Sequence, residues 1–447
     1  MAIANFAWYG TSETSPITII NASVGINAAI SALTVTGEGG TVIILPAGAG
    51  ATYELQTPIV IDGDNITIEC RHGVIFAQSS TWAGTELVDF GGFKNCAWRG
   101  GKFVFPAGYD STATHVIENV ATTTDSNQSF TVEGVTFDLT AAGLNELNSV
   151  DMIHVEGLPP DPDPGPPPDA LRETRGVRVL NNNFMLTPNN ASSGVTCVYL
   201  EECVMSYVEG NLFGTVATGV VQAYERGIHV NGGRFNTIRG NTFLNVWGKT
   251  ATPDSITAHI YLEGSTATAS GTGSFEAGHT NITGNTFESS DATTGIQYAI
   301  LLEGPDFVNV CGNNFGRQTD SLATIKATVK SSTGGLGRGL LIANNQFHAQ
   351  ITNAESTPGY PIHIDGYARV NVQGNLCANW NAITQDFMRV DAPATMVTYN
   401  DNTNSVMPGS NNPQNHPSTN RQRSPINFRG PRNQEWVDNA YPGTRNY

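Results

Sequence analysis

Short alternating segments recur through most of the chain. Val177-Arg178-Val179, Thr237-Ile238-Arg239, Asn281-Ile282-Thr283, Val308-Asn309-Val310 and Val370-Asn371-Val372 each switch between apolar and polar residues. That alternation marks a β-strand with one buried face. A shared motif comes next: Asn182-Asn183-Phe184, Asn211-Leu212-Phe213, Asn241-Thr242-Phe243, Asn285-Thr286-Phe287, Asn313-Asn314-Phe315, Asn345-Gln346-Phe347 and Asn375-Leu376-Cys377. From Phe184 its last position returns after 29, 30, 44, 28, 32 and 30 residues. A second column holds Ile153-His154-Val155-Glu156, Val198-Tyr199-Leu200-Glu201, Ile228-His229-Val230-Asn231, Ile260-Tyr261-Leu262-Glu263 and Ile300-Leu301-Leu302-Glu303. It continues at Ala327-Thr328-Val329-Lys330, Ile362-His363-Ile364-Asp365 and Met388-Arg389-Val390-Asp391.

Each period of about 30 residues therefore carries at least two strands separated by Gly/Asn turns, and a unit that short cannot bury its own apolar face. Stacked in register, the units bury Ile, Val, Leu and Phe in one continuous column, and Asn at a fixed turn position can bond to its copy on the next winding. Insertions near residues 157–170 and 265–278 interrupt the period, the first Pro-rich and extended, the second rich in Thr, Ser and Gly.

At the N-terminal end, Gly25-Ile26-Asn27-Ala28-Ala29-Ile30-Ser31-Ala32-Leu33 reads as a short amphipathic helix. Gly39-Gly40-Thr41-Val42-Ile43-Ile44-Leu45-Pro46-Ala47-Gly48, Tyr53-Glu54-Leu55 and Pro58-Ile59-Val60-Ile61 follow it. This order resembles the cap and first coil of the right-handed parallel β-helix group, the pectate-lyase-like superfamily that includes phage tailspikes and virion decoration proteins. The resemblance spans residues 20–405 and departs at Asn27, where many relatives carry Asp. It implies an all-β fold, a right-handed single-stranded parallel β-helix with an N-terminal cap helix. The expected organisation is an arm at 1–20, the β-helix at 21–407 and an extended C-terminal arm at 408–447.

Composition narrows the function. The 447 residues carry 22 Lys+Arg against 39 Asp+Glu, and an acidic body of this kind does not suit nucleic-acid or anionic-membrane binding. No stretch approaches the ~20 apolar residues of a membrane span. Met1–Asn5 lacks the basic n-region of a secretory signal. Cys70, Cys96, Cys197, Cys203, Cys311 and Cys377 form no CxxC pair and read as buried, reduced thiols. No metal site and no cofactor are expected.

The second column is the candidate chemical surface. Its Ile and Val positions point inward, so the positions between them point out. Stacking then builds an acidic strip of Glu156, Glu201, Asn231, Glu263, Glu303, Lys330, Asp365 and Asp391. Windings about 4.8 Å apart would place Glu263 and Glu303 near the spacing of a retaining glycosidase pair. His229, Tyr261 and His363 lie on a parallel strip that can hydrogen-bond or stack on sugars. The competing reading makes both strips a solvated face. An Asp-x-Asp calcium pattern and an arginine placed as in pectate lyases are both missing.

The tail differs in kind. From Pro408 it carries five arginines against two acids, with no sustained periodicity. Arg421, Arg423, Arg429 and Arg432, with Phe428, Trp436, Tyr441 and Tyr447, are expected to anchor a partner, while folding back on the acidic body is the alternative. Phe6, Trp8 and Tyr9 could dock likewise. The preferred expectation is a non-enzymatic phage virion protein: a homotrimeric β-helix on the particle surface, as capsid decoration or spike, fastened by its arms to capsid or tail proteins. One alternative is a tailspike that cleaves a host surface glycan with Glu263 and Glu303; another is a secreted pectate-lyase-like enzyme.

Overall fold

A computed structural model describes residues 2–6, 18–19, 22–35, 37, 39–46, 50–79, 82, 84–105, 114–121, 129–139, 150–157, 174–185, 194–214, 222–244, 246–248, 256–264, 278–288, 297–316, 323–329, 337–348, 360–380, 388–391, 394–400, 402–406 and 426–429. Three long parallel sheets wind around one core. The first has 13 strands, from Ala2–Phe6 to Thr395–Asn400; the second has 13, from Thr18–Ile19 to Thr403–Val406; the third has 12, from Ile59–Val60 to Ile426–Arg429. The chain is a right-handed parallel β-helix, with three strands per winding rather than the minimum of two.

The repeat motifs set the register. Phe103, Phe137, Phe184, Phe213, Phe243, Phe287, Phe315 and Phe347 stack up the second sheet, with centroids 4.5–5.8 Å apart. Between the first and second sheets, Asn182, Asn211, Asn241, Asn285, Asn313, Asn345, Asn375 and Asn402 form a buried ladder. Each Nδ2 donates to the Oδ1 of the next at 2.8–3.0 Å. A tight turn inside a column cannot leave its amides unpaired, and Asn supplies both donor and acceptor at every winding.

The corner between the third and first sheets uses a costlier turn. Phe235 and Phe307 adopt left-handed φ of 59° and 51°, a region bulky residues normally avoid. The Phe307 ring stacks on His279 at 4.8 Å and the Phe235 ring packs tilted against it at 4.9 Å, which helps to offset the backbone cost.

The cap helix runs Ala22–Thr34 and buries Ala22, Ser23, Ile26, Ile30 and Leu33 on one face. Asn27 completes the plug. Its Nδ2 donates to the Pro58 carbonyl at 2.9 Å, and its Oδ1 accepts from the Val60 amide at 3.0 Å. The helix thereby satisfies an edge that would otherwise be open.

Three expectations change. The N-terminal arm is not separate from the column: Ala2–Phe6 pairs with Gly40–Ile44, and Thr18–Ile19 with Thr52–Tyr53. Within the C-terminal arm, Ile426–Arg429 pairs in parallel with Met388–Asp391, so Phe428 and Arg429 stand in a strand of their own column. Arg421, Arg423, Arg432, Trp436, Tyr441 and Tyr447 lie outside the described residues, as do Trp8, Tyr9 and nearly all of both insertions. The third change is a register slip. Glu303 pairs with Thr328 and Leu301 with Lys326, so Thr328 replaces Lys330 in the acidic strip. Lys330 itself is outside the described residues.

Among the described side chains, Cys70, Cys96, Cys197, Cys203 and Cys311 are free thiols; the first four are buried as expected, and Cys311 is only half-buried. Among the described residues no helix is long and apolar enough to cross a membrane.

Candidate functional site

The third sheet brings the predicted strips together. One outward row runs Glu118, His154, Tyr199, His229, Tyr261, Leu301, Lys326, His363 and Arg389. Beside it run Glu156, Glu201, Asn231, Glu263, Glu303 and Thr328. A solvated face would leave these groups exposed. Instead His154, His229, Tyr261 and Glu303 are all buried. Tyr261 also packs with Ala258, Leu301, Ile256 and Tyr298 in a small apolar cluster separate from the core.

Hydrogen bonds climb the face diagonally, from a ring or ammonium on one winding to a carboxylate on the next. His229 Nε2 lies 3.3 Å from Glu263 Oε2, and its Nδ1 lies 3.3 Å from Arg226 Nη1. Arginine can only donate, so Nδ1 accepts and Nε2–H donates to Glu263. The Tyr261 hydroxyl donates to Glu303 Oε2 at 2.9 Å, and Arg226 lies over the Tyr261 ring at 5.2 Å. Farther along, Lys326 donates to Asp365 and lies 3.1 Å from His363 Nδ1. His363 Nε2 reaches Asp391 Oδ2 at 2.9 Å, and Arg389 Nε donates to the same oxygen at 2.6 Å.

Burial dominates the electrostatics. It pushes His229 below the usual imidazole range against the pull of Glu263. It lowers Lys326 despite the bond to Asp365. His363 is lowered by burial and then by the Lys326 charge. Asp391 moves down: burial would raise it, but hydrogen bonds from His363 and Arg389 outweigh that. A desolvated lysine feeding a neutral imidazole is an arrangement able to relay a proton.

Of the residues singled out from sequence, Glu263 and Glu303 are opposite one another on adjacent strands as expected. Glu303 is only 6% exposed and is held by Tyr261, so its carboxylate does not face open solvent. His229 and Tyr261 stack at 4.6 Å with a 12° interplanar angle, which turns their edges, not their faces, outward. They can offer hydrogen bonds to a sugar, but not a stacking platform. His363 belongs to a separate group with Lys326. Lys326 was missed because of the register slip; the cue was Ile325-Lys326-Ala327, which alternates as Ile300-Leu301-Leu302 does.

Sequence reading also did not bring His115, Glu118 and His154 together. His115, Glu118 and His154 each offer a ligand atom within 4.8 Å of the others.

No family model and no curated protein matches the chain. Solved structures do. The A-module of mannuronan C-5 epimerase AlgE6 of Azotobacter vinelandii is similar with a TM-score of 0.55 at 12% identity, covering 93% of this chain and 95% of that one. PfbA, a surface adhesin of Streptococcus pneumoniae, gives 0.59 at 11% identity, covering 87% and 90%. The Dettilon tailspike protein gives 0.52 at 16% identity, covering 89% of this chain and 66% of the tailspike. At such identities the likeness is one of fold. The chain is a right-handed parallel β-helix.

Proposed function

We propose that the protein is a phage surface spike that engages a host polysaccharide along the outward face of its third sheet. The observation that carries this reading is the buried polar row. Hydroxyls, imidazoles, carboxylates and cations line a face that strand alternation alone would leave solvated, and several have shifted pKa values. The fold is shared with a tailspike, an adhesin and a polysaccharide epimerase, which fits a glycan-facing role. Trimerisation, and attachment through the terminal segments to capsid or tail proteins, belong to the same proposal.

A second reading keeps the spike or capsid decoration but removes the glycan. It is favoured by the internal pairing of the row: Glu303 is bonded to Tyr261 and Lys326 to Asp365. A pull-down of the full chain with capsule and lipopolysaccharide fractions from a susceptible host separates the two. Retention that weakens in Lys326→Met and His229→Gln supports the glycan face. Failure to retain any fraction sinks it and leaves the structural spike. Release of sugar fragments would add cleavage, and its loss in Glu303→Gln would assign that residue.

A further inference from the structure

The strongest unassigned chemistry lies several windings N-terminal of Lys326. Strands His115–Val120 and Asp151–Glu156 are neighbours in the third sheet. Their register sets His115 against Asp151 and Glu118 against His154, so imidazole and carboxylate alternate around a small square. The structure assigns this square, in our reading, as a binding site for zinc or a divalent cation of similar preference, with His115, Glu118 and His154 as ligands.

Three observations support it. First, one ligand atom from each residue falls within 4.8 Å of the others. Second, Asp151 Oδ2 lies 2.8 Å from His154 Nδ1. A carboxylate holding the far nitrogen of a ligating imidazole is the usual outer-shell arrangement, and it leaves Nε2 with the lone pair. Third, His115 Nδ1 is buried and makes no hydrogen bond, although Glu118 Oε1 is 3.4 Å away. A cation shared between this ring nitrogen and the facing carboxylate would satisfy both.

The donor set selects the ion. Two imidazoles with one carboxylate suit zinc and its neighbours, whereas calcium and magnesium take oxygen ligands. Bonds of about 2.0–2.1 Å in a tetrahedron require ligand atoms about 3.3 Å apart. The His115–Glu118 pair already has that edge. The two rings, stacked with centroids 4.0 Å apart, must swing about their side-chain torsions to bring in the third donor. Glu156 Oε2, 3.8 Å from His154 Nε2, is placed to supply a further oxygen. An ion here would pin two successive windings together.

The test is calorimetric titration of the EDTA-dialysed full chain with zinc chloride, with cobalt(II) absorption as a second readout of tetrahedral coordination. One equivalent should bind, and His115→Gln and His154→Gln should each weaken it by about tenfold or more. His348→Gln, at a half-buried second-sheet position, should leave it unchanged. No saturable uptake by the wild type, or wild-type uptake in both site variants, overturns the assignment. Should His154→Gln fail to fold, His115→Gln decides, because its ring is the more exposed of the two.

Discussion

Lys326 Nζ lies 3.1 Å from His363 Nδ1 on the next winding, and His363 Nε2 lies 2.9 Å from Asp391 Oδ2 on the winding after that. An ammonium can only donate, so the contact fixes the tautomer: Nδ1 accepts and Nε2–H points to Asp391. Removing the lysine charge removes a reason for the imidazole to stay neutral. In Lys326→Met the pKa of His363 should therefore move up, as read by an NMR titration of that ring. An unchanged titration would mean that burial and the Arg389 charge, not Lys326, hold His363 down.

His259 gives the fold an acid limit. It is wholly buried beside the rings of Phe243 and Phe287, bonded to the Tyr224 hydroxyl, with Nε2 unpaired. Burial pushes its pKa down to about 3 from an ordinary 6.5. Between those values the unfolded chain binds a proton that the fold refuses, so stability falls as pH drops through that window, by up to about 1.4 kcal/mol per unit. Above it the residue adds no pH dependence. His229 and His363, also lowered, act in the same sense; His154 is raised, because burial is outweighed by the Asp151 hydrogen bond together with the charges of Asp151, Glu118 and Glu156, and acts in the opposite one. Melting curves from pH 7 to 4 should drop less steeply for the double variant Tyr224→Phe/His259→Phe than for the wild type. Parallel curves would show that His259 is not the group responsible.

The ladder can be broken at one winding. Asn285 Nδ2 donates to Ile238 O and Asn313 Oδ1, and Asn285 Oδ1 accepts from the Asn241 amide. Asn285→Ala strands a buried backbone N–H and a carbonyl, each costing about 1–3 kcal/mol. The denaturation midpoint should fall clearly. Asn285→Asp should be worse than Ala in its first effect, since a carboxylate cannot donate to Ile238 O or to Asn313.

What could be read from sequence follows from what must repeat. Asn285 and Phe287 recur because every winding needs the same turn amide and the same ring, so identity is enforced by contact with the copy above. Lys326 escaped for a reason of parity. A slip of two residues keeps every side chain on its proper face, so alternation fits Ala327-Thr328-Val329-Lys330 as well as the true Ile325-Lys326-Ala327-Thr328. His259 was hidden by a local break in alternation: it and Ile260 are both buried in succession. The His115 square needed the pairing of two strands far apart in sequence, one of them outside the recognised column. Thr18–Ile19 and Ile426–Arg429 are too short to carry a period of their own.

The departure at Asn27 has a reason that can be tested. The helix presents its amide to the first strand of the third sheet, donating to Pro58 O and accepting from Val60 N. Asp at this position keeps the acceptor and loses the donor, leaving two oxygens face to face. Asn27→Asp should therefore lower stability at neutral pH by about 1 kcal/mol, the net worth of one hydrogen bond plus a modest repulsion. Protonation restores an O–H that can donate to Pro58 O. The gap between variant and wild type should then narrow as pH falls through about 4, the ordinary aspartate range. Comparing the pair at each pH cancels the acid loss that both share through His259. A gap that stays constant, or widens, on acidification would show that the amide's donor has no part in seating the cap.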